Sequence, residues 1–242
     1  MFDLTAKTYI VTGSSSGMGE ATAALLLKEG AVVYGFDVND ASINDSNYNH
    51  VKLSITDEEQ VREAVENISA GHKISGLVNA AGIWGNSKPF FEIDLPDWKR
   101  VLDVDLNGAF IVSKHVCLAM IPNREGSVVN ISCIRSSIFR KNMADYASSK
   151  GAIVALTSAM ALDLSPYNIR VNAVAPGFIY TGMTCRSFDD PTVREQSEKL
   201  IPNGRIGKPD DIAKVALFLL SDMSDYMTGT NVFADGGYHI EK

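Results

Sequence analysis

Short apolar runs alternate with longer stretches of helical period along the chain. Residues 8–12 and 31–36 hold Tyr9, Ile10, Val11, Val32, Val33, Tyr34 and Phe36 with almost no polar interruption. Strands buried on both faces read this way. Between them, 18–30 predicts a helix closed by Gly30. Val61, Ala64, Val65 and Ile68 fall three and four apart and predict a helix over 57–70. Further strands are expected at 51–53, 77–79, 127–131, 170–174 and 230–234. Helices are expected at 96–120 (long and bent), 146–164 and 209–220. The stretch 39–49 is rich in Asn, Asp and Ser and reads as loop. Regular strand–helix alternation predicts an α/β fold, a doubly wound parallel sheet with helices on both faces. There is no repeat, low-complexity tract or linker, so 1–242 reads as a single domain. The polar segment 182–204 has no evident place in the sheet and reads as a lid over a substrate.

Composition narrows the function classes. Lys plus Arg number 22 and Asp plus Glu 29, a net charge of −7, which disfavours a nucleic-acid backbone as partner. The three cysteines are too few and scattered for a disulfide framework, so a reducing cytoplasm is the expected location. The four histidines show no metal-ligand spacing, and no metal is expected. No basic n-region with an apolar core opens the chain, and no uncharged apolar run is long enough for a membrane span.

The chemistry starts between the first strand and the first helix, at Thr12-Gly13-Ser14-Ser15-Ser16-Gly17-Met18-Gly19. Glycines there permit a tight turn and close backbone approach to a pyrophosphate. The helix N-terminus adds unpaired N–H groups and partial positive charge. A glycine pattern alone is weak, but strand–turn–helix is the context that gives it meaning. Asp37 ends the second strand, where a carboxylate accepts hydrogen bonds from adenosine ribose hydroxyls and repels a 2′-phosphate. No Arg or Lys stands beside it or within Ser14–Ser16, so NAD is favoured over NADP as cofactor. The plainer alternative for Asp37 is a solvated loop residue.

The spacing T-G-x-x-x-G-x-G resembles the short-chain dehydrogenase/reductase family, and five further blocks match in order: Asn79-Ala80-Ala81-Gly82, Asn130-Ile131-Ser132, Tyr146-x-x-x-Lys150, Pro176-Gly177-Phe178-Ile179-Tyr180-Thr181 and Asp235-Gly236-Gly237. The resemblance implies a Rossmann-type fold, an NAD-dependent oxidoreductase acting on a small molecule, and a homotetramer. It places the cofactor on Gly13, Ser15, Ser16, Gly17, Met18, Gly19, Asp37, Ser54, Ile55, Asn79, Ala80, Ala81, Gly82, Tyr146, Lys150, Pro176, Gly177, Ile179 and Thr181. Ser54 is itself a departure, since many members carry Asp there.

Tyr146 and Lys150 are four apart at the start of a predicted helix and share a face. An ammonium beside a phenol favours the phenolate, which is expected to lower the Tyr146 pKa and let it take an alcohol proton. Two positions depart from the family. Cys133 stands at the usual catalytic serine, with Ser132 beside it but expected to face the other way. Asp105, rather than Asn107, aligns with the usual catalytic-site asparagine. Arg135, Arg140 and Lys141 fall where the family's substrate pocket is bordered, and a cationic wall suits an anionic substrate; Arg140 is the first candidate contact and Arg135 the next. Trp84, Phe139, Tyr180 and Met183 are candidate apolar walls. Two function classes stand: a dehydrogenase of secondary alcohols or hydroxy acids, and a non-enzymatic NAD-binding regulator. Retention of Tyr146 and Lys150 favours the enzyme.

Overall fold

The computed structural model describes residues 3–241. The elements follow in order: β1 (Thr8–Thr12), α1 (Gly17–Lys28), β2 (Val32–Asp37), β3 (Tyr48–Lys52), α2 (Glu58–Gly71), β4 (Ile74–Asn79), α3 (Leu95–Leu102), α4 (Ala109–Met120), β5 (Gly126–Ile131), α5 (Ala144–Leu164), β6 (Ile169–Pro176), α6 (Cys185–Phe188), α7 (Pro191–Lys199), α8 (Pro209–Leu220) and β7 (Asn231–Ala234). The strands form one parallel sheet in the order β3-β2-β1-β4-β5-β6-β7. This is the expected Rossmann-type doubly wound sheet.

Alternating side chains divide the core between the two faces. Val11, Val33, Val78, Val129 and Val174 pack with Leu26 of α1 and with Ile212, Ala216 and Leu219 of α8. Ile10, Phe36, Leu77, Val128 and Val171 pack on the other face with Val61 and Val65 of α2, Val112 and Val116 of α4, and Ala161 of α5. Each such side chain, fully buried, contributes roughly 1.5–3 kcal/mol. β3 starts three residues before the expected strand, at polar Tyr48-Asn49-His50. It is an edge strand with half-exposed side chains, so two-sided burial never shaped its sequence.

The long helix expected at 96–120 is bent for a definite reason. A π-helical turn, Asp103–Gly108, separates α3 from α4. Such a turn inserts extra backbone and re-aims its side chains; here it turns Asp105 into the interior, 1% exposed. The run Leu95–Asn123 is long and apolar enough to pass for a membrane span by length and composition. In the fold its residues Val101, Val112, Val116 and Met120 are fully buried in the protein. Residues 182–204 hold α6 and α7. Asp190 caps α7 by accepting from the Thr192 N–H at 2.8 Å, and Phe188 packs with Ile201, Ile206 and Phe178.

Candidate active site

Strand order reverses across β1 and β4, the place where a doubly wound sheet opens a crevice at its carboxyl edge. β1 ends in Thr12, and the chain turns at Gly13 with φ +68°. A Cβ on Gly13 would sit 2.8 Å from Ala81 Cα, and one on Gly19 would collide with the Gly13 carbonyl oxygen. Both positions therefore require glycine for the turn to close. The Thr12 hydroxyl accepts from the Ala80 and Ala81 N–H groups at 3.1 Å each, tying the turn to the end of β4.

A groove of about 310 Å³ lies above this junction. It is lined by Gly13, Ser16, Gly17, Met18, Gly19, Asp37, Ser54, Ile55, Ala80, Ala81, Gly82 and Thr181, all expected there, and also by Val38, Asn39, Thr56, Ile83 and Val104. The Ser15 hydroxyl is buried with no protein partner, a donor left for a ligand oxygen. Asp37 accepts from the Ser15 N–H at 3.0 Å and from the Asn39 N–H at 2.9 Å. Lys52 pairs with Asp37 in register, but its ammonium goes to Asp40 at 2.7 Å, so no Lys or Arg lines the groove. Glycine cradle, orphaned hydroxyl and helix N-terminus together fit a dinucleotide.

Some expected residues lie outside the groove lining. Asn79 donates to Ser113 Oγ and Asn130 Oδ1 at 2.8 Å each, inside the core. Pro176 ends β6, and the Gly177 N–H is held by Ala234 O at 3.1 Å. Ile179 faces a second cavity of about 320 Å³ next to β7. Met183, expected at the substrate, lines the cofactor groove instead, because the chain after Thr181 folds back over it. A brace under the turn was not foreseen: the Tyr48 hydroxyl donates to Ser14 Oγ at 3.0 Å and lies 3.4 Å from His50 Nδ1. Its signal was a polar edge strand, which periodicity does not rank.

Tyr146 and Lys150 share a face of α5, as the spacing requires, and both are buried. The Lys150 ammonium lies 3.3 Å from Asp105 Oδ2, 3.3 Å from Ile131 O and 5.6 Å from the Tyr146 ring centroid. Asp105 also accepts from the Ile83 N–H at 2.7 Å. Asn107, by contrast, is exposed and bonds Asp103 at 2.8 Å, so Asp105 holds the inward position. Cys133 lies near enough to Tyr146 to raise the pKa of its phenol. Ser132 is corrected out of the site. Its hydroxyl faces away, 2.9 Å from Val174 O and 2.7 Å from Asn231 Oδ1, because adjacent strand-end residues point oppositely.

The expected lowering of the Tyr146 pKa is also corrected. Burial pushes the phenol well above its ordinary range, the neighbouring Cys133 and the Asp105 carboxylate push the same way, and Arg135 opposes. Burial is the main reason, and the Lys150 ammonium is paired with Asp105 at 3.3 Å. Trp84 covers Tyr146 with ring centroids 4.8 Å apart. Arg135 is buried, whereas Arg140 and Lys141 stand in an exposed turn and form no ion pair among the described residues. Phe139 is exposed, and the Tyr180 hydroxyl donates to Asp189 at 2.7 Å.

A glycine-turn crevice beside a tyrosine–lysine pair defines a dinucleotide-binding oxidoreductase architecture, and comparison with known proteins places it. Residues 13–239 match the family model described as enoyl-(acyl carrier protein) reductase, and the chain belongs to the short-chain dehydrogenase/reductase family. It is 37% identical to a 3-oxoacyl-(acyl-carrier-protein) reductase of Thermotoga maritima, over 98% of this chain and 99% of the relative. It is 36% identical to an NAD-dependent glycerol dehydrogenase of Listeria innocua, over 99% of this chain and 96% of the relative. The ligand-free aldohexose dehydrogenase of Thermoplasma acidophilum superposes with a TM-score of 0.92 at 34% identity, covering 99% of this chain and 97% of the other.

Proposed function

We propose that the protein is an NAD-dependent dehydrogenase that oxidises a secondary alcohol or hydroxy acid, or reduces the matching carbonyl compound. The observation that carries this reading is the buried Tyr146–Lys150–Asp105 cluster, which meets the groove through Gly82 and Ile83 of its lining, where the described residues include Asp37 and no Lys or Arg. Asp37 favours ribose hydroxyls and disfavours a 2′-phosphate. Gly13, Ser15, Gly17 and Gly19 would hold the pyrophosphate, Asp37 the adenosine ribose, and Lys150 the nicotinamide ribose. The bound nicotinamide supplies hydride transfer. Tyr146 takes the alcohol proton on its phenolic oxygen, and the Cys133 thiol orients the substrate oxygen as a weak donor. Trp84 keeps water from the phenol. Residues 182–204, within what we read as one domain, close over the substrate.

A second reading, an NAD-binding regulator without turnover, is favoured by one observation: Asp105 draws the Lys150 charge from Tyr146. The deciding experiment screens secondary alcohols, sugars and hydroxy acids with NAD while following NADH absorbance, then repeats the best pair with Tyr146→Phe. Turnover lost in the variant, with calorimetric NAD affinity kept, supports the enzyme. Turnover that survives in Tyr146→Phe overturns the acid–base assignment. The same titration with NADP is expected to show much weaker binding. We also infer a homotetramer in the cytoplasm; exposed Phe110 and Leu118 on α4 and Leu162 on α5 offer apolar surface to bury, and the three free thiols suit a reducing compartment.

A further inference from the structure

Two residues beyond Cys133 the fold holds a buried charge with which no described carboxylate forms an ion pair. Arg135 lies in the short 3-10 turn Ile134–Ser136 and is 6% exposed. Its Nη1 donates to Ile138 O at 3.2 Å, and that is the hydrogen bond it makes among the described residues. The guanidinium carbon stands 5.8 Å from the Phe178 ring centroid and 5.9 Å from that of Tyr238. Phe188 of α6 meets Phe178 edge-on at 6.2 Å, so these aromatic rings connect Arg135 to the segment 182–204.

Most carboxylates on the neighbouring elements have partners of their own, and none of the described ones forms an ion pair with Arg135. Asp105 faces Lys150, Asp235 faces His239 at 3.0 Å, and Asp189 accepts from Tyr180. Asp145 accepts from the Tyr146 N–H through Oδ1 at 2.8 Å, while its buried Oδ2 has no described partner and lies against Gly85. Stacking on aromatic rings accounts for the faces of a guanidinium, but not for the donors along its edge, which form a planar fork matched to a carboxylate. A buried cation lacking an anion is unfavourable, and a ligand anion relieves it. Arg135 is also close enough to Tyr146 to act on the phenol's charge. Arg140 and Lys141, being solvated and screened, offer far less to a bound anion.

We propose that Arg135 is the seat of a substrate carboxylate, so that this site takes hydroxy acids, or their oxo acids, whose carboxylate stands a short chain from the reacting carbon. This rests on the dehydrogenase reading above and moves the anion contact from the turn at Arg140 to the interior.

The test uses lactate and 3-hydroxybutyrate, their neutral amides, and glycerol 3-phosphate. NADH formation is measured for wild type, Arg135→Lys and Arg135→Met. Affinity is read by calorimetry with NAD present in the Tyr146→Phe background, where turnover is blocked. In the wild type, a carboxylate is expected to exceed its amide by about ten- to a hundredfold in kcat/KM or affinity. Arg135→Lys, keeping the charge without the fork, is expected to retain part of that ratio, and Arg135→Met to bring it near one. Parity of acid and amide in the wild type overturns the proposal without recourse to any variant. So does a full preference persisting in Arg135→Met, or a stronger preference for the phosphate than for either carboxylate. Carboxylate binding that depends on Arg135 without turnover supports the anion seat and rejects the dehydrogenase reading. Equal turnover of acid and amide does the reverse.

Discussion

The Asp105–Lys150 pair sets the chemistry at the scale of single residues. Both groups are almost fully buried and 3.3 Å apart. An ion pair at this depth is strong because solvent does not screen it. Burial above all, with the Asp105 carboxylate acting in the same direction, leaves Tyr146 well above its ordinary pKa. Alcohol oxidation needs the phenolate, so a raised pKa places the rising limb of the pH–rate profile at alkaline pH. Asp105→Asn removes the anion while leaving an oxygen for the Ile83 N–H. The limb of log kcat/KM for oxidation is expected to move to lower pH in that variant. A limb that stays in place or moves higher would show that Asp105 does not govern the Tyr146 proton. Spacing put Tyr146 and Lys150 on one helix face, and the family resemblance brought Asp105 into view. Both were silent on where the Lys150 charge points, because that depends on α3, α4 and α5 meeting.

At the scale of elements, the site is held by irregularities in otherwise regular pieces. The π turn at Asp103–Gly108 carries Asp105 inward, and the glycine turn between β1 and α1 opens the groove. The segment 182–204, the proposed flap, is fixed more lightly: α6 and α7 are short, and Phe188 joins them to Phe178 in a cluster of few side chains. Removing a buried aromatic ring costs about 3–5 kcal/mol when the whole fold depends on it. Here the loss would fall on a segment that we propose opens locally. Phe188→Ala is therefore expected to raise KM for the substrate several-fold, with little change in NAD affinity or in the main thermal transition. Limited proteolysis should cut the variant faster within 182–204. A variant with wild-type KM and wild-type proteolysis would show that the segment does not act as a flap. The two interior strands 8–12 and 127–131 were legible nearly to the residue, since two-sided burial writes a continuous apolar run. The edge strand β3 and the helices of the flap were not, since half-exposed elements carry little periodic signal.

For the molecule as a whole, the groove draws on both halves of the sheet: Gly13 and Asp37 from β1 and β2, Ala80 and Gly82 from the end of β4, and Thr181 from beyond β6. A ligand bridging them stabilises the folded state by mass action, about 2.7 kcal/mol at a hundred times its Kd. For a chain of this length that is a rise of about 5–10 °C in Tm. NAD is expected to produce it, and NADP at equal concentration much less; equal shifts would remove Asp37 from the ribose. The sequence by itself determined the parallel sheet, its two-faced core, the dinucleotide turn and the tyrosine–lysine pair. All of these are written as local periodicity or as fixed short spacing. Only the tertiary structure decided that Ser132 faces Val174 and Asn231, that Asp105 captures Lys150, and that Arg135 is buried while Arg140 is exposed. Those outcomes depend on which side chains from distant segments share a volume closed to water. A side chain's burial and its charge partner are properties of that shared volume and not of the chain around it.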